Sequence, residues 1–401
     1  MHSVLLPARD FQAHCLVPKI VMACRFQNMN VWNDAFRGGD SYCIGFTIIN
    51  AYYRQDYGVD QMNEVVFGTK DDKQLMYLPQ KCIGCGTCVM ACPKGIITIG
   101  SVGAVARGLI DKDYLENDPS GCIMCGICAK TCPTGALDMR QGGKSINDST
   151  YVSFSLKPTT VSESCVHCGL CEQICPQGCI EVRQWLASDG SAKVDGETKI
   201  NNDCCVHCGW CASVCPVNAI TVQKPFAGTW VRNEETCTAC RSCVDTCPCN
   251  ALFNPEWEAG ERVDKVAQRA DACIYCGACD MACPVNAITV TKTQIIPEVD
   301  KKTILEKKLL NIKAPRPTLT SVLMTDEDAC LGCGNCVIMC PVNAQANKNL
   351  AAGYLNEVES KKILEVRNGT VKVVNQDVCG SDGACIMICP VNAIWFERRE
   401  C

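Results

Sequence analysis

The chain has 401 residues, including 38 cysteines, and its formal side-chain charge at pH 7 is −5. Such a cysteine content in a small secreted chain would suggest a disulfide scaffold. This chain is long and its cysteines fall in regular groups of four, which argues against a disulfide scaffold. The acidic balance excludes nucleic acid as an expected partner and favours docking on basic protein surfaces.

Two features of the sequence bear on its location. No stretch reaches the roughly 18 apolar residues of a membrane-spanning helix. The apolar segment 15–22 is short, contains Lys19 and lacks the layout of a signal peptide. We therefore expect a cytoplasmic protein of an anaerobe, where thiols stay reduced.

Residues 1–64 form an N-terminal extension that does not resemble the rest of the chain and contains no repeat. Two interpretations stay open: an additional docking segment, or an upstream extension with synthesis starting at Met62. We favour the start at Met62, because the residues that follow it lead directly into the first repeat. Mass spectrometry of the native N-terminus distinguishes the two, since a peptide spanning Arg37 to Arg54 would exclude the later start.

From residue 65 onward, one cysteine pattern recurs eight times. The spacing is C-x2-C-x2-C-x3-C-P, which is typical of a [4Fe–4S] cluster whose four iron corners each take one thiolate. We number the copies motif 1 to motif 8 in chain order and predict eight [4Fe–4S] clusters. The predicted iron ligands are Cys82, Cys85, Cys88 and Cys92; Cys122, Cys125, Cys128 and Cys132; Cys165, Cys168, Cys171 and Cys175; Cys205, Cys208, Cys211 and Cys215; Cys237, Cys240, Cys243 and Cys247; Cys273, Cys276, Cys279 and Cys283; Cys330, Cys333, Cys336 and Cys340; and Cys379, Asp382, Cys385 and Cys389.

Zinc is the alternative metal for a cysteine-rich repeat. Zinc sites commonly use two separated C-x2-C pairs, whereas here a third cysteine follows at x2 and a fourth at x3 before proline. The spacing therefore favours the iron–sulfur cube.

The fourth cysteine of such a motif binds the other cluster of a two-cluster pair. Sequential pairing joins motif 1 with 2, 3 with 4, 5 with 6 and 7 with 8. It exchanges Cys92 with Cys132, Cys175 with Cys215, Cys247 with Cys283, and Cys340 with Cys389. Because the gap between motifs 4 and 5 is the shortest in the chain, a nested arrangement also stays open, with motifs 4 and 5 paired inside motifs 3 and 6.

Small residues recur in register with the cysteines. Glycine follows the second ligand in every motif except motif 5, which has Arg241. Glycine or asparagine stands three positions after each fourth cysteine. Both residue types tolerate a positive φ, so we expect a turn there, followed by the strand that closes each half of a module.

Asp382 stands where the second cysteine of motif 8 is expected. We predict that its carboxylate binds iron, and more weakly than thiolate does, since it is a harder ligand. The alternative is a site that holds a [3Fe–4S] cluster. His167 and His207 lie inside motifs but are not needed as ligands. Cys179 and Cys249 replace Ala and Val of sister repeats, which indicates small buried apolar residues.

The sequence contains three insertions between the repeated elements. Asp189-Gly190 lies between strand-like runs, and Asn368-Gly369 predicts a hairpin between 363–366 and 370–374. Residues 298–312 have the pattern of a helix that ends before Pro315 and Pro317. Its apolar stripe, which includes Leu305 and Leu309, is expected to cover a cluster rather than bind a partner.

The predicted fold class is α+β, with four tandem bacterial-type 2[4Fe–4S] ferredoxin units of βαββαβ order. We place them at residues 65–146, 147–228, 229–297 and 298–401. No Ser/His/Asp pattern, phosphate loop or dinucleotide fingerprint is present. The sequence therefore offers no catalytic residue, and we expect an electron-transfer subunit rather than an enzyme.

Three segments between the motifs go beyond generic ferredoxin. They are Gly103-Ala104-Val105-Ala106-Arg107-Gly108, Cys132-Pro133-Thr134-Gly135-Ala136-Leu137-Asp138 and Gly142-Gly143-Lys144-Ser145. With the eight motifs, residues 65–401 resemble the polyferredoxin subunit of formylmethanofuran dehydrogenase from methanogenic archaea.

This resemblance implies a role in methanogenesis. Such a subunit carries low-potential electrons to a tungsten or molybdenum subunit that reduces CO2. The expected partners are the other subunits of that complex, with a heterodisulfide reductase, hydrogenase or formate dehydrogenase as electron donor.

Two alternatives remain. The chain could serve a hydrogenase and heterodisulfide reductase complex, in which case nickel would co-purify with it. It could instead store iron and sulfide, in which case electron exchange would be slow and no fixed partner would be found.

Overall fold

A computed structural model describes residues 64–110, 114–147, 154–186, 194–255, 265–299, 302–312, 321–347 and 362–398, all within one unit, Asn50–Cys401. The helices are α1 (Thr87–Ala91), α2 (Val102–Ala106), α3 (Ile127–Lys130), α4 (Leu170–Ile174), α5 (Trp210–Ser213), α6 (Ser242–Thr246), α7 (Ala278–Ala282), α8 (Lys302–Leu309), α9 (Asn335–Met339), α10 (Pro341–Ala346) and α11 (Ala384–Met387). The strands are β1 (Val65–Lys70), β2 (Lys73–Tyr77), β3 (Ile97–Ile99), β4 (Leu115–Asn117), β5 (Leu137–Gln141), β6 (Lys144–Ser145), β7 (Phe154–Ser155), β8 (Thr160–Val161), β9 (Ile180–Leu186), β10 (Val194–Ile200), β11 (Ile220–Thr221), β12 (Phe226–Arg232), β13 (Leu252–Phe253), β14 (Ala267–Gln268), β15 (Ile288–Ile295), β16 (Glu298–Val299), β17 (Ser321–Thr325), β18 (Leu364–Arg367), β19 (Thr370–Val373) and β20 (Ile394–Arg398).

One strand pattern recurs four times. The strand before the first motif of a pair is antiparallel to the strand after the second, and the two strands between the motifs pair with each other. These pairs are β2–β5 with β3–β4, β8–β11 with β9–β10, β12–β15 with β13–β14, and β17–β20 with β18–β19. We call the four groups the first to fourth modules. The predicted α+β class and βαββαβ order are confirmed.

The short helices of each module pack against each other. The contacts join α1 with α3, α4 with α5, α6 with α7, and α9 with α11. In the first module, β2 and β5 contribute Leu75, Tyr77, Leu137 and Met139 to a core in which all four side chains are almost fully buried. The same core contains Cys88 and Cys128, so the apolar core and the predicted ligand sites are one region.

Motif 7 departs from the expected turn. After each of the other fourth cysteines, the Gly or Asn three positions on has a positive φ, and a strand follows. Asn343 instead lies in helix α10, because the residues around it, Ala344 to Ala346, favour helix over strand. Its buried side-chain amide donates to Val337 O at 3.2 Å and Leu364 O at 2.7 Å and accepts from Ile363 N at 2.7 Å. The expectation of a positive φ at Asn343 was wrong.

The structure describes two of the three predicted insertions. The hairpin at Asn368-Gly369 is confirmed, since β18 and β19 pair across it and both turn residues have a positive φ. The helix expected over 298–312 is shorter: Glu298–Val299 forms β16 with β7, and α8 begins at Lys302. Asp189-Gly190 lies outside the described residues. Within the described ranges, no helix combines the length and apolar character needed to cross a membrane.

Candidate iron–sulfur cluster sites

The eight ligand loops share one backbone conformation. The residue after the second ligand position is left-handed in every motif, including Arg241 with a φ of 66°, and a helix of four or five residues starts immediately after it. The residue before the second ligand position is also left-handed in all eight: Gly84, Met124, His167, His207, Ala239, Tyr275, Gly332 and Ser381. Glycine signals the first feature in the sequence. The second is carried by six residue types and has no sequence signal.

The turn after the fourth cysteine places a backbone amide within hydrogen-bond distance of that cysteine's sulfur. The amide four residues on donates to the fourth sulfur at 3.1 to 3.3 Å in six motifs. The donors are Ala136, Cys179, Ala219, Ala251, Ala287 and Ala393. The positive φ at the preceding Gly or Asn positions this amide, which gives a physical reason for the recurrent residue. Such N–H···S bonds stabilise a thiolate and raise the reduction potential of the cluster it binds.

Further donors reach the first cysteines. The amides of His167, His207, Tyr275 and Gly332 each donate to the first sulfur of their motif at 3.4 Å. The Tyr77 side chain lowers the pKa of the Cys82 thiol and so partly offsets the effect of burial, which raises this pKa to about 12. Tyr77 was not singled out from the sequence, because nothing in its spacing links it to motif 1.

In the first module, each motif has the fourth cysteine of the other beside it. Burial raises the pKa of Cys88, and the charges of Cys85, Cys82 and Cys132 add to the effect. Burial likewise raises the pKa of Cys128, with contributions from Cys125 and Cys92. The fourth cysteines therefore face the opposite motif.

The second and third modules repeat this exchange. In the second module, burial and the charges of Cys208, Cys205 and Cys175 raise the pKa of Cys211 to about 12, and Cys215 shares an apolar cluster with Cys171. In the third module, Cys283 contributes to the raised pKa of Cys243 and Cys247 to that of Cys279. Burial is the largest cause for both.

The fourth module follows the same plan. Burial and the charges of Cys333 and Cys389 raise the pKa of Cys336 to about 11. At motif 8, burial and the charges of Asp382 and Cys379 raise the pKa of Cys340 to about 12. Motif 8 thus has Cys340 beside its own ligands.

Two cavities test whether a cluster fits. One is lined by Cys92 together with Cys122, Cys125 and Cys128. The other is lined by Cys175 together with Cys205, Cys208 and Cys211. Each cavity is therefore lined by three cysteines of one motif and the fourth cysteine of the preceding motif, which is the donor set of one cube. Among the residues that the structure describes, no three metal-binding side chains converge as they would on a single ion.

Asp382 lies at a contact between two modules. Its Oδ2 accepts a hydrogen bond from Ala384 N at 3.0 Å and lies 3.5 Å from Arg107 Nη1, which also donates to Asp382 O at 2.6 Å. Burial raises the pKa of this carboxyl, and the Arg107 guanidinium opposes the rise. The charge of Asp382 adds to the burial that raises the pKa of Cys385, so the carboxylate faces the motif 8 thiols.

Two cysteines outside the predicted ligand set, Cys179 and Cys249, each lie beside another cysteine. Cys249 is buried as expected, but it also shares a buried cluster with Cys208 and lowers the pKa of that thiol. Cys179 is buried and lies beside Cys204, their Cα atoms being 5.9 Å apart. The sequence indicated neither contact, because each joins segments that only the fold brings together. Cys15, Cys24, Cys43 and Cys401 lie outside the described residues.

Neither motif histidine has a geometry that requires metal binding. His167 Nδ1 lies 2.9 Å from Thr198 Oγ1, so its ring has a neutral hydrogen-bond partner. Burial lowers the pKa of His207, against a bond to the backbone of Gln223 that raises it.

Comparison with protein families gives matches along most of the repeat. A family model described as a 4Fe-4S dicluster domain matches residues 81–136, 164–219, 204–251 and 272–344, which is more than half of the chain. Two further models of the same description match residues 121–180 and 323–391. The matches overlap because any two consecutive motifs resemble one dicluster domain.

Two similar proteins extend the comparison. A subunit of the tungsten-containing formylmethanofuran dehydrogenase 2 of Methanopyrus kandleri is 45% identical over 51 residues, 13% of this chain. The chain spans 65% of the length of that curated relative. A chain of the formate dehydrogenase–heterodisulfide reductase–formylmethanofuran dehydrogenase complex from Methanospirillum hungatei is 28% identical, with a TM-score of 0.53, over 64% of this chain and 94% of that one. The resemblance drawn from the sequence is thereby confirmed.

Proposed function

Because the chain belongs to the 4Fe-4S dicluster domain family, we propose that it is a multi-cluster electron-transfer subunit of a formylmethanofuran dehydrogenase complex. It delivers low-potential electrons for CO2 reduction in methanogenesis, or takes them in the reverse direction. The observation that carries the proposal is the four-fold recurrence of modules in which each motif has the partner motif's fourth cysteine beside it. The names of the two similar proteins support the choice of complex.

The proposal assigns the residues as follows. Each of the eight sites takes three ligands from its own motif and the fourth cysteine of its sequential partner. Asp382 takes the second ligand position at motif 8. When bound, each [4Fe–4S] cluster supplies one-electron redox chemistry at low potential. The protein positions the thiolates, donates N–H···S bonds to them and excludes water through the surrounding apolar core.

The sites differ in exposure, and this suggests where electrons enter and leave. Cys168 and Cys333, the second ligands of motifs 3 and 7, are exposed. Apolar side chains beside them are exposed too, among them Val166 at 49% and Leu331 at 66%. The second ligands of motifs 4 and 6 are buried instead. Motifs 3 and 7 are therefore the proposed docking ends for partner subunits.

Anoxic isolation of the native complex tests the proposal. We expect roughly 30 irons per chain, tungsten or molybdenum in the preparation, and rapid bleaching of the visible absorption by one partner. A preparation with far less iron, or one that a strong reductant does not bleach, would refute it. The matched complex also contains a heterodisulfide reductase by its name, so this reductase is the second candidate partner. Nickel in place of tungsten or molybdenum would favour the hydrogenase-linked alternative.

A further inference from the structure

All three other modules contact the third module. From the first module, Ile83 and Cys85 share a buried cluster with Ile274 and Cys276. From the second, Trp210 Nε1 donates to Cys249 O at 2.8 Å. From the fourth, the backbone at Gly380 lies close enough to Pro284 that an added Cβ would be only 2.5 Å from the proline ring.

A buried lysine lies at the contact between the first and third modules. Lys292, on β15, is 4% exposed. Its Nζ donates to Cys276 O at 2.9 Å and lies 5.3 Å from the centroid of the Phe226 ring. The site of a Cβ added at Gly277 is 3.7 Å from Cys85 O and 3.7 Å from Lys292 Nζ. The ammonium is therefore adjacent to the second-ligand loops of motif 1 and motif 6.

The partners of this ammonium are incomplete without an anion. It has three donors, and a buried charge is stable only when it is paired and hydrogen-bonded. Within the described residues, the structure gives Lys292 a single hydrogen-bond acceptor, Cys276 O, and no salt bridge. It interacts electrostatically with the side chains of Cys85, Cys276, Cys279 and Asp280. Three of these four are predicted iron ligands, so the anionic clusters of the two sites would add to the charge of Asp280 in compensating the ammonium.

We propose that Lys292 is the counter-ion shared by the motif 1 and motif 6 sites, and that it raises the reduction potential of both. The inference rests on the proposed function and adds a determinant of potential to it. Each electron accepted at a site adds one negative charge, which a nearby ammonium stabilises. A cation between two sites therefore favours the reduced form of each.

Two other basic side chains donate to carbonyl oxygens of the third module. Lys224 Nζ donates to Cys273 O at 3.1 Å where the second module meets the third. Arg107, from the first module, donates to Cys240 O of the third module at 3.1 Å and to Asp382 O of the fourth at 2.6 Å. Arg107 also pairs with Asp245 at 2.8 Å, so its charge is compensated by carboxylate. Lys292 has no such ion pair among the described residues, which makes it the clearest test.

The test is an EPR-monitored redox titration of the iron-loaded chain with Lys292→Met, Lys292→Arg and the control Lys144→Met. Methionine keeps the length of the side chain without the charge, and Lys144 is exposed on β6. We expect two components to become harder to reduce in Lys292→Met, by about tenfold in the equilibrium constant, or about 59 mV for a one-electron couple. Lys292→Arg and Lys144→Met should titrate like the wild type.

Unchanged potentials in iron-replete Lys292→Met would overturn the inference. If that variant does not retain iron, Lys292→Gln replaces it, because glutamine keeps a donor for Cys276 O but carries no charge. Wild-type potentials in iron-replete Lys292→Gln would then overturn the inference, and so would failure of both variants to retain iron while Lys144→Met retains it. A wild-type chain without reducible clusters would refute the proposed function itself, which is a separate result.

Discussion

Asn343 Nδ2 donates a hydrogen bond of 2.7 Å to the carbonyl oxygen of Leu364, from a side chain with no exposed surface. The bond ties helix α10, which follows motif 7, to the first strand of the β18–β19 hairpin. The other seven motifs use a left-handed Gly or Asn and a strand at this point. Asparagine at this position of the repeat therefore has two structural roles: it is a left-handed turn residue in other motifs and a buried hydrogen-bonding side chain in motif 7.

Replacing Asn343 should destabilise the fourth module. Asn343→Ala leaves Leu364 O and Ile363 N without their side-chain partner, and each unsatisfied buried group costs about 1–3 kcal/mol. The thermal unfolding midpoint of the iron-loaded protein, measured under anoxic conditions, should fall. Asn392→Gly is the matched control, because Asn392 is exposed and has a φ of 54° that glycine adopts freely. Equal midpoints for the two variants would contradict this reasoning.

Asp382→Cys should make motif 8 bind iron more firmly. Carboxylate holds iron less firmly than thiolate, so mild oxidation of the wild type should convert this site to a [3Fe–4S] form. The EPR spectrum of the oxidised variant should lack that signal, and its iron content should be higher. Asp328→Asn, an exposed change in the same module, should behave like the wild type. A [3Fe–4S] signal of undiminished size in Asp382→Cys would exclude Asp382 as a ligand.

The Cys249 thiol should raise the reduction potential at motif 4. It shares a buried cluster with Cys208 and lowers the pKa of that thiol, which favours the thiolate and hence the more negative, reduced cluster. If the interaction has the strength of one hydrogen bond, about 1 kcal/mol, Cys249→Ala should lower one midpoint potential by roughly 40 mV. Cys249→Ser keeps a donor of similar size and should fall between the alanine variant and the wild type. The same potentiometric titration measures both, and a shift of opposite sign would rule out this thiol–thiol interaction as the cause.

Helix α8 should protect a cluster site in the first module. Leu305 and Leu309 are completely buried with Ala91 and Ile127, and Cys125 packs at the edge of the same cluster. Leu305→Ala should lower the free energy of unfolding by about 2–5 kcal/mol. It should also speed the bleaching of one cluster by ferricyanide, because water and oxidant gain access. Lys307→Ala, an exposed change on the same helix, provides the control rate.

The spacing of the cysteines predicted the fold because cluster binding places its demands on a short stretch of the chain. A cube needs three thiolates from one tight loop, and glycine after the second ligand permits the left-handed residue that starts each short helix. Arg241 adopts the same conformation without that signal, so the loop imposes the conformation where residue type does not favour it.

What the sequence could not predict depends on contacts across modules. Lys292 and Cys249 have ordinary neighbours along the chain, and only the packing of modules brings Lys292 near Cys85 of motif 1 and Cys249 near Cys208 of motif 4. The helical segment 298–312 was predicted too long because its first residues pair as β16 with a strand more than 140 residues earlier. Periodicity within a window contains no information about such a partner.

The contacts of the third module have a consequence for how such a chain can change over evolution. Its neighbours along the polypeptide are the second and fourth modules, yet the first module also packs against it, so adjacency in space differs from adjacency in the gene. A lineage could lose or duplicate the second module while the packing of the first and fourth against the third stays as it is. Variation in module number is thus easiest at the second module, because the first, third and fourth modules all contact one another without it.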